Sequence, residues 1–131
     1  LPAQILGENK RLDEVVGSMS YDSLFIGPEP AADVVTVKLT ASQGVVKRGA
    51  VIAGTPGGVD FALLAAAADG TKALYILADD VDTGNETVGF AYRTGHFNRG
   101  ALSVGSSYTL TAADEEALRK SGILVSDALP N

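Results

Sequence analysis

From Asp33 onward, apolar residues recur at every second position in short runs, each cut off by glycine, proline or polar turn residues. A helix repeats about every 3.6 residues and cannot bury such a run, whereas a strand with one wet face can. In Val34–Thr40, Val35, Val37 and Leu39 fall on one face and Thr36, Lys38 and Thr40 on the other. Ser42-Gln43-Gly44 breaks that run. Ala50–Ala53 follows, ahead of the Thr55-Pro56-Gly57-Gly58 turn signal. The four alanines in Phe61–Ala68 favour helix by propensity, but the segment is short and lacks a helical stripe. With a turn at Asp69-Gly70, it is expected to form a pair of strands with Ala73–Ala78. Asp79–Asn85 is a polar loop. Thr87–Thr94 alternates again, with Val88, Phe90 and Tyr92 sharing a face, and Gly95 is expected to end it.

One helix interrupts the strands. Thr111-Ala112-Ala113-Asp114 is a capping-box start, with Asp114, Glu115 and Glu116 at the positive end of the macrodipole and Arg119 and Lys120 at the negative end. Gly122 supplies the stop, and Ile123-Leu124-Val125 follows as a terminal strand. Ala113, Ala117, Leu118 and Ser121 form the stripe expected to lie on the sheet. The pattern is that of an α+β, mostly β domain. Residues 1–32 read differently. Leu1–Ser20 sustains no period, and two prolines end the apolar patch Tyr21, Leu24, Phe25 and Ile26, so Gly27–Pro30 is an extended connector. The expected division is an N-terminal arm, 1–32, and a β domain, 33–131. The chain opens at Leu1 and its only methionine is Met19, as expected of a processed or trimmed product.

Composition removes most chemistry from the 131 residues. No cysteine means no disulfide, no thiolate nucleophile and no Cys-type zinc site. The single histidine, His96, has serines 103, 106 and 107 nearby in sequence, but none sits in a G-x-S-x-G elbow. Asp79, Asp80 and Asp82 miss the calcium-loop spacing, and Glu86 is too close to be its distal ligand. Gly54–Gly58 lacks the Lys-Ser/Thr of a phosphate loop. Lys47 and Arg48 form an isolated basic pair in a turn. A net charge of -6 argues against nucleic acid, and no stretch approaches the roughly 20 apolar residues of a membrane span. No catalytic residue, metal site or cofactor is expected. What remains is a binding or structural module.

The order of the segments carries more than any one of them. Ala73-Leu74-Tyr75-Ile76-Leu77-Ala78-Asp79-Asp80-Val81-Asp82, then Val88–Arg99 with Tyr92, Gly95, Phe97 and Asn98, then Ala113–Ile123, together resemble the head decoration (cement) proteins of tailed bacteriophages. Tyr21–Pro28 and Gly44–Val51 resemble segments of the family's longer members, while Leu1–Ser20 departs from the pattern. The resemblance implies a small β-tulip, barrel-like domain that forms a homotrimer. It implies binding to the phage major capsid protein on the outside of the expanded head, at local threefold sites, with the chain made in the host bacterial cytoplasm. It also implies that the arm adds a strand to a capsid sheet. Tyr21, Leu24, Phe25 and Ile26 are the expected arm anchors, and Tyr92, Phe97 and Asn98 are candidates for the trimer interface or the hairpin that shapes it. The rival reading from the same strands is a phage-surface module for a host glycan or protein; a hydrolase built on His96 and a serine is a further rival.

Overall fold

A computed structural model describes residues 24–68 and 71–127 of the chain. Tyr21, Leu1–Ser20 and the expected Asp69-Gly70 turn lie outside the described residues. The strands are β1 (Phe25–Gly27), β2 (Asp33–Lys38), β3 (Val45–Val46), β4 (Val51–Gly54), β5 (Ala62–Leu63), β6 (Ala73–Leu77), β7 (Val81–Asp82), β8 (Val88–Asn98) and β9 (Ile123–Ser126). A 3-10 turn, Arg99–Ala101, follows β8, and one helix, α1 (Ala112–Lys120), precedes β9. Among the described residues the domain is mostly β, with a single helix near its C-terminus.

Strand β8 is the axis of the sheet. Its first half pairs antiparallel with β2, from Lys38↔Val88 to Asp33↔Thr94, and its second half pairs with β1 at Phe25↔Phe97. On the other flank it meets β6 at Ile76↔Tyr92 and then β9 in parallel, from Gly95↔Ile123 to Asn98↔Ser126. From β6 the sheet continues to β4 and β5. A parallel bridge between Leu39 and Phe61 then joins the end of β2 to the start of β5, so the sheet curls back on itself. The Gln43 side chain stitches that closure: its Nε2 donates to the carbonyls of Thr40 (2.7 Å) and Phe61 (3.1 Å), and its Oε1 accepts the Leu63 N–H.

Because β4 and β6 are covered on both faces, their residues alternate between two cores. Ile52 and Leu77 join Val37, Leu39, Phe61, Val81 and Ala91 inside the curl. Val51, Leu74 and Ile76 join Leu24, Phe97, Leu118 and Ile123 under the helix. Each fully buried aliphatic of this kind is worth roughly 1.5–3 kcal/mol.

Three expectations are corrected. Phe61–Ala68 and Ala73–Ala78 do not pair with each other; β5 and β6 take opposite edges of β4, and only Ala62–Leu63 of the first segment is strand. Gly95 does not end β8. It lets the strand continue to Asn98 at φ +149°, where a Cβ would lie 2.8 Å from the Phe97 ring. In α1 the buried side chains are Asp114 and Leu118, while Ala113 and Ser121 are exposed. The helix is therefore rotated so that a carboxylate enters the interior.

The shared face of Val88, Phe90 and Tyr92 exists, but Val88 and Phe90 are exposed and it is Gly89 and Ala91 that are buried. The reason is room. A Cβ on Gly89 would lie 2.6 Å from Val81 Cγ2, with Leu39 and Leu77 next to it, so only the small residues of β8 fit inside the curl.

Candidate functional site

Of the expected arm residues, Leu24 and Phe25 meet the expected hairpin residues at one place, where β8 exchanges β2 for β1. Phe25 packs edge-on against Tyr92, with centroids 5.0 Å apart, and lies 4.9 Å from Phe97. Tyr92 and Phe97 complete the triad at 5.7 Å, a spacing at which offset and edge-to-face rings attract. Leu24 is buried, and its carbonyl accepts the Asn98 N–H at 2.7 Å. Asn98 serves twice, because its Oδ1 also accepts the Gly100 N–H and caps the 3-10 turn. Ile26 is half-buried within β1.

These positions define what each residue does. Leu24 is buried in the second core, and Phe25 and Ile26 lie in β1, so these three expected arm residues belong to the domain. Phe97 is fully enclosed and acts through packing and by fixing the backbone around it. Tyr92 is only half-buried, with the Arg48 guanidinium over its ring at 6.0 Å and Arg48 Nη2 donating to its hydroxyl at 3.4 Å. The basic pair is not a free patch. The Arg48 N–H donates to Asp80 at 2.8 Å, and Lys47 Nζ lies 3.5 Å from the same carboxylate. That backbone bond, with Lys47 and Arg48 adding to it against partial burial, holds the Asp80 carboxyl below the usual carboxylate range.

Two polar features escaped the sequence reading. Asp114 accepts the Ala68 N–H at 2.8 Å, the Thr111 N–H at 3.0 Å and the Tyr108 hydroxyl, so it ties the helix start to two loops. Burial raises its pKa, but the bonds from Tyr108, Ala68 and Thr111 outweigh burial and hold it below the ordinary value. Arg99 grips Glu115 with two bonds, 2.6 and 2.7 Å, and also reaches Asp127. Those carboxylates, Glu115 first, raise its pKa further. The T-x-x-D capping signal in the sequence located Asp114 but not its burial; no local signal pairs Arg99 with Glu115.

His96 Nε2 lies 2.8 Å from Ser126 Oγ, a serine on β9 rather than one of the three near it in sequence. Among the described residues this is the imidazole's only hydrogen bond, and its partner is a hydroxyl rather than a carboxylate. Among the same residues no group of three or more His, Asp or Glu side chains converges as a metal site would.

The family model for Bacteriophage lambda head decoration protein D matches residues 17–124. The chain belongs to this family. The match spans β1 through the start of β9 and includes Leu24, Phe25, Ile26, Tyr92, Phe97 and Asn98. No curated protein matches. Membership in the head decoration family makes this chain a phage capsid decoration protein, a structural component of the virion head. The family is structural rather than enzymatic.

Proposed function

We propose that this chain is a cement protein that binds the outer surface of the expanded phage head as a homotrimer. It sits at local threefold sites, bridges adjacent capsomers through the major capsid protein, and stabilises the shell against the pressure of packed DNA. The family match over residues 17–124 carries this reading. Leu24 and Phe25 support it physically. They are pinned to β8 by the Asn98 bond and the ring triad, so an arm that docks on the shell through this segment transmits its hold directly to β8. An extended arm suits strand addition, in which backbone hydrogen bonds give affinity and alternate side chains give register. Three arms on one trimer raise avidity without demanding a large interface from each. The net charge of -6 suits a protein made in the host cytoplasm that must stay clear of nucleic acid before assembly.

The test is direct. Purified protein mixed with undecorated, expanded heads should co-sediment with them at a fixed stoichiometry and raise their resistance to heat or chelator. Recovery of all the protein in the supernatant would sink the reading.

A further inference from the structure

Strands β6 and β8 part company soon after they meet. Ile76 faces Tyr92 and Leu77 faces Ala91, but ahead of Ile76 strand β6 keeps only β4, from Gly54↔Ala73 to Ile52↔Tyr75. On that flank β8 takes its next partner at Gly95↔Ile123. The sheet therefore splits between Tyr75 and Arg93. The split holds a groove of about 460 Å³, whose walls include Asp33, Leu74, Tyr75, Arg93, Thr94 and Ser121. Small-molecule sites occupy roughly 300–1,000 Å³.

The lining is polar yet neutral. Arg93 Nε pairs with Asp33, and among the described residues the remaining N–H donors of that guanidinium have no partner. Thr94 Oγ1 donates to the Ala31 carbonyl at 2.7 Å, and Ser121 Oγ to the Ala117 carbonyl at 3.2 Å. Each hydroxyl has thus committed its proton and offers lone pairs. The Leu77 N–H donates to Ala50 on the β4 side. Successive residues of a ladder direct their backbone groups to opposite flanks, so Leu74 turns its N–H and C=O toward the split. Tyr75 adds a half-buried ring stacked on Phe61, with centroids 5.3 Å apart. Among the described residues its hydroxyl has no hydrogen bond.

We propose that this groove binds a neutral saccharide unit, with the Arg93–Asp33 pair gripping adjacent hydroxyls and Leu74 and Tyr75 meeting its C–H edge. The lining selects that class. A phosphate or nucleic acid needs unpaired, clustered cations, and the one arginine here is already neutralised. An extended peptide needs a longer opening, because the split runs only along Ala73–Tyr75 before Ile76↔Tyr92 closes it. A pyranose ring is compact and uncharged. Its hydroxyls both donate and accept, as this mixture of guanidinium donors and hydroxyl, carboxylate and carbonyl acceptors requires. None of these residues is an arm anchor or a member of the ring triad, so the inference stands apart from the decoration reading.

Amide NMR spectra of the full chain, titrated with the methyl pyranosides of glucose, galactose, mannose and N-acetylglucosamine, test the proposal. At least one should shift the amides of Leu74, Tyr75, Arg93 and Thr94 in a saturable way, and glucuronic acid should bind no tighter than glucose. Arg93 and Ser121 are exposed, so Arg93→Ala and Ser121→Ala should keep the wild-type circular dichroism and unfolding midpoint. Arg93→Ala should bind the same sugar about tenfold more weakly, as the loss of a charged hydrogen-bond donor implies, and Ser121→Ala a few-fold more weakly. No saturable shift with any of the four sugars would overturn the inference. So would shifts confined to residues outside the groove, a preference for glucuronic acid, or wild-type affinity in Arg93→Ala. A chain that co-sediments with heads but binds no sugar would strike this inference alone. Loss of head binding by Arg93→Ala would assign the groove to the shell instead.

Discussion

Asp114 is a carboxylate with almost no exposure, and its three donors decide what replaces it. One oxygen takes the Ala68 N–H, the other the Thr111 N–H and the Tyr108 hydroxyl. In Asp114→Asn the amide NH₂ must face a donor whichever way it turns. The expected loss is about 1–3 kcal/mol, read as a lower urea midpoint at unchanged slope. Because the folded carboxyl titrates below its unfolded value of about 3.9, its stabilising contribution is complete above that value. It is lost as pH falls through the folded value. The wild type should therefore weaken in acid more steeply than Asp114→Asn, and parallel acid limbs for the two proteins would contradict this account. The 3.6 period places Asp114 and Leu118 on one face. Only the habit of keeping carboxylates out of a core points the reader to Ala113 and Ser121 instead.

Gly89 gives a second residue-scale prediction. Gly89→Ala places a methyl 2.6 Å from Val81 Cγ2 in a filled interior. The expected cost is about 1–3 kcal/mol of overpacking, measurable by thermal unfolding. An unchanged midpoint would mean that Val81 yields without penalty.

Among the elements, β8, α1 and β9 form one unit clamped by Arg99, which joins the end of β8 to Glu115 on the helix and Asp127 just past β9. Arg99→Ala should speed amide exchange in β9 and the first turns of α1 while leaving β4 and β6 protected. Exchange unchanged in β9 would place the clamp outside the stability of that strand. Much at this scale was legible: the alternation in β2, the short β4, the capping box at Thr111, the Gly122 stop and the closing strand. Pairing was not. β8 reads as a strand that stops at Gly95 because a glycine usually ends a run, and nothing local says that it continues by changing partners. For the same reason β5 and β6 read as a hairpin. Adjacency in sequence is the only pairing cue a single chain offers, and β4 outcompetes it from between them.

For the whole molecule, the arm reading separates folding from attachment. A protein lacking residues 1–23 retains every described core residue. It should keep the wild-type circular dichroism and unfolding midpoint yet bind expanded heads at least about tenfold more weakly, as the loss of the proposed trimer's linked contacts implies. Equal binding by the shortened chain would move the shell contact onto the domain itself. The candidate site was legible only as a set of residue types. Tyr92, Phe97, Asn98, Leu24 and Phe25 could be named from the sequence, but their meeting at one crossing depends on pairing across most of the chain.

The central position of β8 also sets a clock. Phe25 must wait for Phe97, and Val35 for Ala91, before either has a ladder partner. During synthesis the valine-rich β2 leaves the ribosome long before the strand that will cover its flank. Non-local pairings of this kind are slow, and an uncovered strand is open to the wrong neighbour while it waits. The chain thus carries its greatest hazard in the interval before β8 has been made.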